Sequence, residues 1–198
     1  MIYKPQLRRM YDWGARPLIQ PDANTVAHVR FVGAAATRTN LALQSQALGT
    51  TWTGVGAVAA APTVTNNSAD LTAPDATSTA TKIVIPAVTA TTGASYVKQD
   101  ITAATATYTG SMWLRTASGT ATVWIWFGNP AAPGTHYGQV SCAVTTTWTR
   151  FQFAVALTAG SKNFAVGVDT RDSVQTTQAG QTITEVSTSP TLHEEEIE

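Results

Sequence analysis

The sequence predicts an all-β fold, a two-sheet antiparallel jelly-roll-like sandwich with an extended N-terminal arm and a short C-terminal tail. Three observations predict it. About a third of the 198 residues are Thr plus Ala, and Thr and Val are β-branched residues that favour pleated, half-buried surfaces over helix interiors. From Asn40 onward, short apolar or alternating stretches are separated by turn residues, the punctuation of a sandwich rather than of alternating strands and helices. No segment carries a convincing helical period.

Taken in chain order, residues 1–39 read as an arm. Pro5, Pro17 and Pro21 are interleaved with Tyr3, Leu7, Met10, Tyr11, Trp13, Leu18 and Ile19. Proline interrupts helix interiors and withholds a ladder donor, so this segment is extended with at most short pieces of structure. It is also more aromatic than an ordinary disordered tail. Residues 40–186 form the sandwich. The expected strands are Asn40–Gln46, Ala80–Ile85, Ser95–Ile101, Tyr108–Thr116, Thr122–Phe127, Gly138–Val144, Arg150–Leu157, Asn163–Asp169 and Gln181–Val186. Breaks fall at Thr92-Gly-Ala, Ser118-Gly119, Asn129 to Gly134 and Ala159-Gly160, where Gly, Pro, Asn and Ser supply turn conformations. Residues 187–198 form an acidic tail.

Side-chain parity sharpens the strand assignments, because residues two apart share a face. In Val123-Trp-Ile-Trp-Phe127, Val123, Ile125 and Phe127 point one way and Trp124 and Trp126 the other, so both faces are apolar. In Phe151-Gln-Phe-Ala-Val-Ala-Leu157 the odd positions make a core stripe, and the even positions carry only Gln and Ala. That strand is expected to bury one face.

Composition excludes several classes. The charged fraction is 12%, about half the usual level, and the net charge is zero with a pI near 6.8. A nucleic-acid binder must neutralise many phosphates, so no nucleic-acid partner is expected. The charges are nonetheless polarised: Lys4, Arg8, Arg9, Arg16, Arg30 and Arg38 fall early, and every Glu lies at the far end, from Glu185 to Glu198. No secretory h-region and no apolar run long enough to span a bilayer is present, so neither export nor membrane insertion is expected. The single Cys142 sits in strand-like Val140-Ser-Cys-Ala-Val144 and reads as a small buried hydrophobe.

Catalysis is hard to assemble from these residues. Glycoside hydrolysis needs two carboxylates at a defined separation, and residues 40–168 offer only Asp70, Asp75 and Asp100 as acids. His28, His136 and His193 lack ligand-spaced companions, so no metal and no cofactor is expected. Asp169-Thr-Arg-Asp172 could offer oxygens to a hard cation. The preferred reading is a solvated turn with Arg171 paired locally, since calcium wants six or more oxygens.

Aromatic side chains are the stronger candidates. Trp124 and Trp126 on one strand face, with Tyr137 and Trp113 nearby, suit a platform for the C–H faces of sugar rings. Alternatively, the N-terminal arm or a neighbouring subunit covers that face, since monomers seldom expose large apolar patches. In the arm, Arg8, Arg9, Tyr11, Trp13 and Arg16 have the guanidinium and aromatic chemistry of interface hot spots. Either the arm docks on an adjacent subunit or it folds back on its own sandwich.

An ordered series of motifs resembles the carbohydrate-binding-module-like jelly-roll domains of tailed-bacteriophage virion proteins. It begins with Asn40-Leu-Ala-Leu-Gln-Ser-Gln46 and Trp52, then Ala73-Pro-Asp-Ala-Thr77 leading to Ala80-Thr-Lys-Ile83. It continues with Tyr96-Val-Lys-Gln-Asp-Ile101, Tyr108 to Arg115, and Thr145-Thr-Thr-Trp-Thr-Arg-Phe151. The series covers residues 40–170. The last strand departs from the pattern, which usually ends with a Trp-Gly-Ala-Gln-type signature. The resemblance implies the fold more than the role, since members of the group serve as tail-fibre parts, receptor-binding modules and capsid decorations. With a low-charge β-domain suited to packing in a repeated shell and extended termini, the preferred expectation is a non-enzymatic virion structural protein, foremost a capsid decoration or cement protein held through its arm. Its expected partners are other virion proteins and copies of itself. The alternative is a receptor-recognition module of a tail fibre that binds host-surface glycan through Trp124, Trp126 and Tyr137.

Overall fold

The structure, a computed structural model, describes residues 11–12, 16–17, 41, 48–68, 73 and 80–186. The chain divides into two compact units, Met1–Ala35 and Ala36–Glu198. In the first, the described residues form a small antiparallel ribbon of β1 (Tyr11–Asp12) and β2 (Arg16–Pro17), with Tyr11 opposite Pro17 and Asp12 opposite Arg16.

The second unit opens with a single helical turn, α1 (Leu48–Thr51), followed by β3 (Thr53–Ala57), β4 (Thr63–Thr65), β5 (Thr81–Ile85) and β6 (Ala94–Ala103). Then come β7 (Ala106–Arg115), β8 (Ala121–Gly128), β9 (His136–Val144), β10 (Thr149–Leu157), β11 (Gly160–Asp169) and β12 (Gln181–Val186). They form two five-stranded antiparallel sheets, ordered β3-β6-β11-β8-β9 and β10-β7-β12-β5-β4.

From β5 onward the chain wraps as a jelly roll. β12 lies beside β5, β11 beside β6, β10 beside β7, and β8 and β9 form a hairpin, so the eight strands pair from the outside inward. β4 and β3 each extend one sheet by a short edge strand. Neither was expected from the sequence: Thr53-Gly-Val-Gly-Ala57 has one large apolar residue and Thr63-Val-Thr65 only three positions, too little pattern to read. Asn40–Gln46 lies almost wholly outside the described residues. The other expected strands are present, with ends within three residues of those expected and Gln181–Val186 unchanged.

Parity explains the core. Val123, Ile125 and Phe127 of β8 meet Phe164 and Val166 of β11 and Met112 and Leu114 of β7 between the sheets. Phe127 packs at 5.0 Å from Phe164 and 5.6 Å from Phe153, ring centre to ring centre. Gly110 makes room for these rings, since a Cβ there would lie 2.7 Å from Phe164 and 3.0 Å from Phe153. Cys142 belongs to the same core, and burial pushes its thiol up to about 12. Phe151, Phe153 and Val155 of β10 pack against it as partly buried residues, with Leu157 fully inside.

A second apolar cluster lies on the outer face of the β3-β6-β11-β8-β9 sheet. It comprises Tyr96, Trp124, Trp126, Ala165, Val168, Val88 and Ala94, with Val55, Ala57 and Ala59 packed on it. This cluster positions the site described next.

Candidate functional site

The indole pair expected as a platform is interior. Trp124 is 6% exposed and Trp126 is 1% exposed, because segments before β6 and at the end of β11 fold over their face. Tyr137 is 38% exposed but lies over the Lys162 ammonium, 5.1 Å from the ring centre. Lys162 follows the parity of the inward-facing Phe164 and Val166, so Tyr137 is not on the indole face. Trp113 is in the other sheet: on β7 the core-facing residues are Tyr108, Gly110, Met112 and Leu114, which turns Trp113 to the opposite exterior. These four aromatics therefore make no common sugar platform. Of the arm residues, Arg8, Arg9 and Trp13 lie outside the described residues. Tyr11 and Arg16 are placed only as backbone of the β1–β2 ribbon.

What covers the indoles is a polar network centred on Asp169, the last residue of β11. Arg171 grips its carboxylate with two charge-assisted bonds, Nε to Oδ1 at 2.7 Å and Nη2 to Oδ2 at 2.8 Å. The Arg171 backbone N–H adds a third at 3.2 Å. His136 stacks on Trp126 with centres 4.8 Å apart, its Nδ1 2.9 Å from Asp172 Oδ2 and its Nε2 3.6 Å from Asp169 Oδ2. The Arg171 guanidinium also lies over the Tyr96 ring, 5.9 Å from its centre, and reaches the Tyr96 hydroxyl at 3.4 Å.

Burial alone would raise the Asp169 carboxyl, yet the hydrogen bonds from Arg171, with the His136 ring beside it, outweigh it and hold the group at about 2. The same pairing raises Arg171 above its ordinary value. Tyr96 is raised by burial, against the opposing hydrogen bond from Arg171. Asp169 is thus a carboxylate with its oxygens engaged, and Arg171 pairs locally. Among the described residues no group of three or more His, Cys, Asp or Glu is arranged to hold a metal ion.

Two amides extend the network. Gln175 Oε1 accepts from the Asp169 backbone N–H at 2.7 Å, and its Nε2 donates to Gln139 Oε1 at 2.8 Å. Gln139 Nε2 in turn donates to Asp172 Oδ2 at 3.1 Å. Asp172 Oδ1 accepts from the Val174 N–H at 2.8 Å, an Asx-type turn that reverses the chain.

The loop after β11 is also strapped to the turn before β6. Thr170 Oγ1 donates to Ala90 O at 2.7 Å, Thr170 N–H donates to Gly93 O at 2.9 Å, and Val88 and Gln178 exchange two backbone bonds of 2.9 Å. Between these segments runs a groove of about 490 Å³ lined by Thr91, Thr170, Arg171, Ser173, Gln175, Thr176 and Thr177. Among the described residues its lining carries hydroxyl, amide and guanidinium groups and no carboxylate. Arg171 Nε and Nη2 are committed to Asp169.

The sequence singled out Asp169 to Asp172 but not their partners. The polar run from Thr170 to Gln178 was a signal for the loop. Thr91, His136 and Gln139 were unreadable, because they arrive from segments 30 to 80 residues away.

The fold defines a jelly-roll β-sandwich with a polar groove where loops meet at one face. No protein-family model matches the sequence, and no curated protein is similar to it in sequence. Several solved structures are similar in fold. TmCBM61, solved in complex with beta-1,4-galactotriose, is 12% identical with a TM-score of 0.49, over 79% of this chain and 99% of that one. A CBM4 structure is 18% identical with a TM-score of 0.45, over 58% of this chain and 71% of that one. The enzymatically active domain of bacteriophage CBA120 tailspike protein 4 is 14% identical with a TM-score of 0.42, over 75% of this chain and 20% of that one.

Proposed function

We propose that the chain is a non-catalytic carbohydrate-binding module whose ligand lies in the groove between Thr91 and the loop Thr170 to Thr177. The observation that carries this reading is the groove lining. Its volume of about 490 Å³ falls in the range of small-molecule sites, roughly 300–1,000 Å³. Ser, Thr and Gln side chains can donate to and accept from a neutral polyhydroxylated ligand, and the Arg171 guanidinium is held in place by Asp169. The described lining also favours binding over catalysis. Glycoside hydrolysis requires two free carboxyl groups flanking a bond, and Asp169 and Asp172 are spent on Arg171, His136 and Gln139.

Shell decoration through residues 1–39 is the second reading; the glycan reading is preferred because carbohydrate-binding modules such as TmCBM61 share the sandwich fold. The virion remains the proposed location, on the sequence resemblance of residues 40–170, and immunogold labelling of purified particles locates the protein there or excludes it. The groove is tested on a glycan array and by titration calorimetry. Ser173 and Thr177 are exposed, so Ser173→Trp and Thr177→Trp fill the groove without disturbing the core. Each is expected to weaken glycan binding at least tenfold with an unchanged melting temperature. A chain that retains no glycan from a broad array, or whose binding ignores both substitutions, refutes the assignment.

A further inference from the structure

Beside the groove lies a smaller cleft whose side chains are mostly those of Val and Ala, with Thr89 among them. Val58, just after β3, has φ 62 and is 80% exposed. A β-branched residue adopts the left-handed region only under constraint, and such outliers gather at binding surfaces. Val58 forms one wall of a cleft of about 30 Å³, with Ala59, Val88, Ala90 and Gly93 among the others.

That volume is about the space of one water molecule and suits one methyl group. Water would need several polar partners there, and the backbone groups of Val88 and Gly93 and the Ala90 carbonyl are already paired. Val88 N–H and C=O are paired with Gln178. Ala90 C=O accepts from Gly93 N–H at 3.1 Å and from Thr170 Oγ1, and Gly93 C=O accepts from Thr170 N–H. The cleft adjoins the groove through one short turn: Thr89 and Ala90 line the cleft and Thr91 lines the groove.

We propose that this cleft is a methyl-selecting subsite, so that the ligand is a glycan bearing a methyl group, either the C6 methyl of a 6-deoxyhexose or the methyl of an acetyl substituent. The inference rests on the glycan reading of the groove, and its test separates the two. The intact chain, ¹³C-labelled at Val and Ala methyls and ¹⁵N-labelled at backbone amides, is titrated with matched sugars. These are L-rhamnose and L-fucose against their 6-hydroxy parents, and N-acetylglucosamine against N-formylglucosamine, which lacks only the methyl group. The same titrations are run on Val58→Gly, in which glycine relieves the positive φ while removing the side chain.

A methyl-bearing sugar is expected to bind about fourfold more tightly than its parent, the worth of burying one methyl group, and to shift the Val58, Val88 and Ala90 methyl signals. In Val58→Gly the preference disappears, the parent sugar binds as before, and the melting temperature holds or rises. Preference for the deoxy pair or for the acetyl pair identifies which methyl is selected. Equal binding within every pair, with Thr91 and Thr176 amides shifting, overturns the subsite and leaves the groove standing. If no sugar shifts the groove residues, the glycan reading falls and the subsite with it.

Discussion

Asp169 concentrates the electrostatics of the site in one side chain. It is 1% exposed, and a buried carboxylate is tolerable here because Arg171 donates three hydrogen bonds to it. Its carboxyl is held at about 2 against an ordinary value of 3.8. Because the folded value is the lower one, the stabilisation is present above the unfolded value and is lost as pH falls through the folded value. About 2 kcal/mol should therefore disappear between about pH 4 and pH 2. Urea unfolding across that range measures it, and Asp169→Asn should be less stable at pH 7 and lack this component of the acid loss. An acid limb identical in the variant would show that other carboxylates govern it.

Strands decide which faces are interior, and β8 shows how much that alternation carries. Its odd residues enter the main core, and its even residues Trp124 and Trp126 enter the second cluster under the Asp169 network. Trp126 touches both His136 and Tyr96, the latter at 5.1 Å between ring centres. Trp126→Ala is therefore expected to cost about 3–5 kcal/mol of stability, read as a lowered urea midpoint. Any loss of glycan binding should follow from the loosened loop rather than from lost stacking. A variant that unfolds like the parent but binds no glycan would restore the indole to a ligand-facing role. On β10 the alternation was legible in the sequence, since Gln152, Ala154 and Ala156 are exposed between the core-facing Phe151, Phe153 and Val155.

At the scale of the whole molecule, the closing strand is inserted rather than appended. β12 pairs with β5 through Gln181 to Glu185 and with β7 through Thr184 to Val186, so it lies in the interior of its sheet. Residues about 100 positions apart must meet before that sheet is complete, which makes folding slow for the chain's size. Removing residues 181–198 should leave no cooperative thermal transition, because β5 and β7 would each expose an unpaired ladder over the core. Circular dichroism on the truncated chain checks this, and a sharp melt close to that of the full chain would contradict the assigned strand order.

The sequence by itself determined the β-class, the core stripes of β8 and β10, the strand-like burial of Cys142 and the local pairing of Arg171, because each is written in alternation or in residues close along the chain. Only the tertiary structure decided that the indole face is covered, that Trp113 and Tyr137 lie away from it, and that the groove belongs to Thr91 and the Thr170 to Thr177 loop. Which exterior face of a sheet is closed over depends on where distant loops land. The bonds that fix those loops, Thr170 to Ala90 and Gly93, and Gln178 to Val88, join segments about 80–90 residues apart. Local pattern carries no record of such partners, so two tryptophans of one parity look the same whether they meet solvent or a folded-over loop.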